Sequence, residues 1–200
     1  MIIWRELGLQ PYEPIWRAMQ RFTSVRTENT LDEIWLLEHH SVYTQGMAGK
    51  PEHILAPGTI PVIHIDRGGQ VTYHGPGQLI VYFLLDLKRR ALSPRQLVTL
   101  IENAVVTVLV SLGLAAYARA EAPGIYIQGE KIASLGLRIR RGASYHGLSI
   151  NVKMDLGPFA GINPCGYQAL SVTQISHFFA SVTVNDFRQL LLDQLQRTFL

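Results

Sequence analysis

The chain carries one cysteine, Cys165, and its setting favours reactivity: Pro164 and Gly166 flank it in a loop rather than in an apolar helix or strand. A nucleophilic cysteine works as the thiolate, and a nearby positive charge or helix N-terminus lowers its pKa from the free value of about 8.5. An inert, buried cysteine is the alternative, while an internal disulfide and a cysteine-rich metal site are excluded by the count. Lys131 is the candidate cation. It follows a tight Gly129-Glu130 turn and opens an otherwise apolar strand, so it either points inward or sits solvated on a hairpin. The third candidate is a stretch, Arg67-Gly68-Gly69-Gln70-Val71-Thr72-Tyr73-His74-Gly75-Pro76-Gly77-Gln78. Its glycines suit close backbone approach to something bound, and Gly68-Gly69 offers successive N–H groups to an anion or a carbonyl oxygen. A hairpin turn with a bulge would explain the glycines alone. It would not call for Arg67, Gln70, Thr72, Tyr73 and His74, all of which a substrate loop can use.

Other chemistries find no support. There is no Gly-Lys-Ser/Thr phosphate loop, no G-x-G-x-x-G after a strand and no H-E-x-x-H. The seven histidines are scattered without metal-ligand spacing, and Ser134 lacks a G-x-S-x-G frame. His39-His40 alternate across a strand, so at most one of them points inward.

The elements that must position these residues read as follows. Residues 2–7 form a short first strand. Tyr12, Ile15, Trp16, Met19 and Phe22 recur at helical spacing and predict an amphipathic helix over 12–26, its aromatic stripe packed in the core. Residues 33–39 read as a strand, and 41–60 as irregular, interrupted by Gly46, Gly49, Pro51, Pro57 and Gly58. A central hairpin is expected over 61–86. Ser93-Pro94-Arg95-Gln96 has the makings of a capping box, starting a helix that runs to about Leu112, stops at Gly113 and is buried on most sides. Strands follow at 124–128, 131–140 and 145–152, then a loop from Gly157 to Tyr167. Thr183 to Asp186 caps a C-terminal helix. Adjoining strands with three dispersed helices predict an α+β fold with a mixed, largely antiparallel sheet.

Two hundred residues at 48% hydrophobic content fit one domain over 1–200, with enough chain for a core. No run of about 18 apolar residues predicts a membrane span. The N-terminus lacks a basic region followed by an apolar core, which makes a cytoplasmic protein the expectation. The net charge is only +3, yet of 18 basic residues all but Lys50, Lys88, Lys131 and Lys153 are arginines. Clusters at Lys88-Arg89-Arg90 and Arg138-Ile139-Arg140-Arg141 are either solvated strand ends or a surface for an acidic partner. No nucleic-acid-binding motif is present.

Four segments together resemble the lipoyl(octanoyl) transferases, also called lipoate-protein ligase B. They are the stretch from Arg67 to Gln78, Gly129-Glu-Lys-Ile-Ala-Ser-Leu-Gly-Leu-Arg138, Tyr145-His-Gly-Leu-Ser-Ile-Asn-Val152 and Gly161-Ile-Asn-Pro-Cys-Gly-Tyr167. Their order and spacing fit, and the resemblance covers nearly the whole chain; Glu130 reads as tolerated variation in its turn. The resemblance implies the catalytic core shared by biotin and lipoate protein ligases, a mixed sheet flanked by helices. It implies transfer of octanoyl from the phosphopantetheine arm of octanoyl-acyl carrier protein to a lysine of apo lipoyl domains. The acceptors would be 2-oxoacid dehydrogenase subunits and the glycine cleavage H protein. A thioester is already activated, so no cofactor and no ATP are required. Cys165 would attack the thioester and form an acyl-enzyme. Lys131 would lower the thiol pKa and then act as acid or base. By the same resemblance Arg67, Gly68, Gly69, Gln70, Val71, Thr72, Tyr73 and His74 line the acyl pocket, with Ser134-Leu135-Gly136 and Gly147-Leu148-Ser149 as its other walls. Backbone N–H groups in these segments are natural oxyanion donors. Arg138, Arg140 and Arg141 are a candidate docking surface for the carrier, and a monomer without nucleic-acid or membrane partners is expected.

Three rivals remain on the same residues. An ATP-dependent lipoate or biotin ligase would not need Cys165. A cysteine thioesterase would let water replace the acceptor amine. A non-enzymatic module would bind carriers through its arginines.

Overall fold

A computed structural model describes residues 1–119, 122–166 and 170–199; the side chain of Cys165 and the motif residue Tyr167 lie outside what it describes. The run Gln78–Leu84 forms strand β6, buried at every position. Leu79, Val81 and Phe83 face one core, while Ile80, Tyr82 and Leu84 face another, so no polar alternation appears. β6 is the third strand of a seven-stranded sheet. The others are β1 (Ile2–Gln10), β2 (Asp32–His39), β10 (Ala143–Asn151), β9 (Glu130–Arg140), β8 (Gly124–Ile127) and β7 (Ala116–Ala118). The order is β1-β2-β6-β10-β9-β8-β7, with only the β1–β2 pair parallel. Helix α2 (Pro94–Ser111) and helix α3 (Val184–Phe199) cover one face of this sheet. Helix α1 (Tyr12–Val25) packs on the other, its Tyr12, Trp16 and Met19 seated against Trp35, Leu37, Tyr82 and Leu84. This is the α+β architecture expected, with a sheet that is largely antiparallel.

Local chemistry explains the helix boundaries. Ser93 accepts from the Gln96 N–H while Gln96 accepts from the Ser93 N–H, so the capping box is real. Thr183 and Asp186 form the same reciprocal pair before α3. Helix α2 departs from expectation in its burial: Leu97, Ile101, Ala104, Val105, Val108 and Leu109 are buried, but Val110 is exposed. Its outer face meets water.

Two further readings change. Residues 41–60 are not wholly irregular, since β3 (Val42–Gln45) is completely buried there. The expected hairpin over 61–86 does not form. β5 (Val71–His74) pairs with β3, and β4 (Val62–His64) pairs with β3 on its other side, making a separate three-stranded sheet. The chain passes from that sheet to the large one at Gly75-Pro76-Gly77. Gly77 has φ +90°, its N–H donates to Glu38 Oε2 at 2.7 Å, and a Cβ there would collide with the Lys153 carbonyl. Two strands adjoining in sequence can therefore serve two sheets, a choice that periodicity alone does not reveal.

Candidate active site

The Gly-rich stretch lies between the two sheets. Its Gly68 N–H donates to Leu137 O at 3.1 Å, which ties the loop to β9 and uses the first of the two amides read as anion donors. Arg67 is nearly buried and donates to Gly68 O, Thr44 O and Thr44 Oγ1 at 2.9, 2.7 and 3.0 Å. A Cβ on Gly136 would stand 3.1 Å from Arg67 Cδ and 3.3 Å from Gly68 O, so glycine there admits the arginine.

Where this loop meets β9 and β10 a cavity of about 450 Å³ opens. Arg67, Gly68, Gly69, Gln70, Val71, Thr72 and His74 line it, together with Ser134, Leu135, Gly136, Gly147, Leu148 and Ser149. The structure thus brings three separate sequence segments to one wall system. Tyr73 is the exception: it alternates to the other face of β5 and packs on Tyr43 and Phe159, its hydroxyl bonded to Ser41 Oγ at 3.0 Å. The cavity also takes in Tyr12, Ile80, Tyr82, Val98, Leu137 and His146. Tyr12, read from sequence as core only, is both core and cavity wall. Most of this lining is hydrocarbon or aromatic, which suits an acyl chain.

Lys131 points inward and is 3% exposed. The reason is local. Ile125 pairs with Ala133 but Tyr126 pairs with Lys131, so β9 carries one extra residue, Ile132, and this bulge re-aims the lysine. Its Nζ donates to the carbonyl of Pro123, a cavity-lining residue, at 2.8 Å and stands 5.5 Å from the Tyr126 ring centroid. Gly124 makes the space, for a Cβ on it would run into the lysine side chain. Glu102 of α2 has its pKa pushed up by burial, against the Gly124 N–H and the Lys131 charge, which both favour its ionised form.

The backbone of Pro164–Gly166 is a 3-10 turn. A Cβ on Gly166 would sit 3.2 Å from Gln70 Cγ and 3.4 Å from His53 Nε2, so the turn bearing Cys165 abuts the Gly-rich loop. After this turn the chain returns to Lys131: Lys131 N–H donates to Ser171 O and Thr173 N–H to Lys131 O, both at 2.9 Å.

Asp66, one residue before the motif, was not legible as a site residue. Its carboxylate accepts from Trp16 Nε1, Gln20 Nε2, Tyr145 OH and His146 Nε2 at 2.8, 3.0, 2.5 and 3.0 Å. These four donors hold its pKa well below the usual carboxylate range despite partial burial. His146 has φ +61° in mid-strand, a conformation a sequence does not announce. Ser144 stitches the distortion, its Oγ donating to Phe83 O at 2.7 Å and accepting from Leu85 N at 3.2 Å. Burial lowers the pKa of His146, and it lowers those of His39 to about 4 and His74 to about 3, so these imidazoles are neutral at physiological pH. As expected of the His39-His40 pair, only His39 is buried.

The arginine clusters resolve differently. Arg89 and Arg90, with Arg26, converge on the buried Asp32 carboxylate at 2.6 Å each, so these two arginines of the cluster are held by an ion-pair clamp, while Lys88 and Arg89 remain exposed. Arg140 and Arg141 are exposed at the tip of the β9–β10 hairpin. Nine residues of strand separate Arg140 from Lys131, about 30 Å at some 3.3 Å per residue.

A family model described as the lipoyl protein ligase A/B catalytic domain matches residues 11–196. The chain belongs to this family. Among its relatives, an octanoyltransferase of Escherichia coli O17:K52:H18 is 60% identical over 194 residues, covering 97% of this chain and 91% of that protein. The bi-partite lipoate protein ligase of Thermoplasma acidophilum superposes with a TM-score of 0.73 at 16% identity, over 99% of this chain and 84% of that one. A biotin protein ligase from Aquifex aeolicus matches with a TM-score of 0.57 at 12% identity, over 98% of this chain and 67% of that one. The lipoyl protein ligase A/B catalytic core is therefore the fold, as the sequence implied.

Proposed function

We propose that the protein is an octanoyltransferase that moves an octanoyl group from octanoyl-acyl carrier protein to a specific lysine of apo lipoyl domains, through an acyl-enzyme on Cys165. The observation that carries this reading is the largely apolar cavity whose lining residue Pro123 accepts a hydrogen bond from the buried Lys131 amine. The dimensions support it. Three residues of β9 separate Lys131 from Ser134 and three more reach Leu137, each step about 10 Å. An extended eight-carbon chain spans about 9–10 Å at roughly 1.3 Å per bond, so it fits the stretch of wall between Ser134 and Leu137 when its carbonyl lies at the Lys131 end. The high identity to octanoyltransferases favours transfer over ATP-dependent ligation on the same fold.

The steps follow from the residues. The Cys165 thiolate, favoured by the Lys131 ammonium, attacks the thioester carbonyl. The carbon–sulfur bond to phosphopantetheine breaks, its leaving thiolate takes a proton from the Lys131 ammonium, and octanoyl rests on Cys165 with Lys131 left neutral. The acceptor lysine amine then attacks, the Cys165 thiolate departs, and the proton lost by the amine passes to Lys131 in its neutral form. Walls of Tyr12, Ile80, Tyr82 and Leu148 keep water from the acyl chain. With its carbonyl at the Lys131 end, the donor enters about 30 Å from the Arg140–Arg141 tip, so we assign carrier docking to the surface around Lys131 and the Cys165 turn rather than to that hairpin. The reaction is tested by mixing the protein with octanoyl-carrier protein and an apo lipoyl domain without nucleotide. The lipoyl domain is expected to gain one octanoyl group with the wild type and none with Cys165→Ala. Modification that requires ATP and free octanoate would instead mark a ligase.

A further inference from the structure

A line of buried side chains connects the Gly-rich loop to the strip that holds Lys131. Arg67 Nη2 donates to Thr44 Oγ1 at 3.0 Å, and Thr44 Oγ1 lies 3.2 Å from His74 Nε2. His74 Nδ1 is 2.7 Å from Gln78 Oε1, Gln78 Nε2 donates to Asn151 Oδ1 at 2.9 Å, and Asn151 Nδ2 donates to Thr173 O at 3.0 Å. Every member is at most 9% exposed.

The polarity of this line is determined at both ends. An arginine only donates and a backbone carbonyl only accepts. Thr173 O therefore fixes the amide of Asn151, and Tyr73 O, which accepts from Gln78 Nε2 at 3.2 Å, fixes the amide of Gln78. Gln78 Oε1 then requires the proton of His74 on Nδ1, and the neutral ring accepts from the Thr44 hydroxyl at Nε2. No donor meets a donor anywhere along the line, and each link excludes the alternative orientation of the next.

The far end carries the consequence. Thr173 belongs to the strip 171–173 that brackets the main chain of Lys131 on both sides, through Ser171 O and the Thr173 N–H. The same strip follows the Cys165 turn in sequence. We propose that Asn151 and Gln78 are positioning residues for acyl transfer: through Thr173 they fix the strip that brackets Lys131. This rests on the roles given above to Cys165 and Lys131. Neither Asn151 nor Gln78 lines the cavity.

The test uses the single cysteine as its own reporter. Iodoacetamide labelling of Cys165, followed by intact mass across pH, gives the apparent thiol pKa. Asn151→Asp keeps the acceptor for Gln78 and loses the donor to Thr173; Asn151→Ser avoids a buried charge if that variant unfolds; Gln78→Glu cuts the line one link earlier. In whichever of these folds, the thiol pKa is expected to rise by about one unit, a loss of thiolate at neutral pH of up to roughly tenfold. The kcat of octanoyl transfer should fall about as far, with KM for the donor within twofold of wild type. Variants that lose thermal stability but keep the wild-type thiol titration and kcat would overturn the proposal, leaving the line a purely structural device. A wild-type thiol that already titrates near the free value of about 8.5 would instead overturn the reading of Cys165 and Lys131 on which it stands.

Discussion

Asp66→Asn probes how the site is built. The wild-type carboxylate accepts four hydrogen bonds that join α1 through Trp16 and Gln20 to β10 through Tyr145 and His146. An asparagine keeps one acceptor oxygen and turns an amide NH₂ toward the two donors on the other side. At least one charge-assisted bond is lost outright and the remainder become neutral. Bonds to charged groups contribute about 1.5–3 kcal/mol each against about 1 for neutral ones, so a loss of roughly 3–5 kcal/mol is expected. For a chain of this size, at about 2–4 °C per kcal/mol, Tm should drop by about 6–20 °C. The pH dependence identifies the cause. A carboxyl whose pKa is held low in the folded state contributes stability that is present above its unfolded value of 3.8 and is lost as pH falls through the folded value. The gap between wild type and Asp66→Asn, followed by calorimetry, should therefore be full at pH 7 and begin to close below about pH 4. A Tm within about 2 °C of wild type, or a gap that does not narrow in acid, would refute the reasoning.

Three other outcomes follow from the structure. His74 and His39 are depressed to about 3 and 4 from 6.5, so the unfolded chain binds more protons between those values. Stability should fall as pH drops from about 6.5 toward 4, earlier than carboxylates alone would cause, and His39→Gln should flatten that slope in denaturant titrations. Shortening the acyl chain from octanoyl to hexanoyl removes two methylenes at about 0.8 kcal/mol each, so kcat/KM should fall about 15-fold in competition assays. Reversing Arg140 and Arg141 to Glu should leave kcat/KM for the carrier and its salt dependence within twofold, because the tip lies far from Lys131; a steep change would return docking to that hairpin.

Helix ends were the most legible feature, because Ser93-Gln96 and Thr183-Asp186 carry their own hydrogen-bond partners in sequence. Sheet membership was not, since β5 and β6 have the same buried character and only the close approach at Gly77 separates them into two sheets. At the site, the residue types of the Gly-rich stretch were informative, whereas Lys131 could not be oriented until the Ile132 bulge was seen. The pairing of Asp66 with His146 was not legible for a related reason. One looks like the polar end of a strand, and the other owes its place to a positive φ that no spacing encodes. The ion pairs of Arg89 and Arg90 were not legible because their partner, Asp32, is more than fifty residues away in the chain.

The most direct measurement is intact mass after mixing the protein with octanoyl-carrier protein in the absence of acceptor. One octanoyl group should appear, map to Cys165, and disappear when an apo lipoyl domain is added, with Lys131→Met slowing both steps. Octanoyl reaching the lipoyl domain at the wild-type rate with no adduct on Cys165, or with Cys165→Ala, would contradict covalent transfer and leave the cysteine a loop residue.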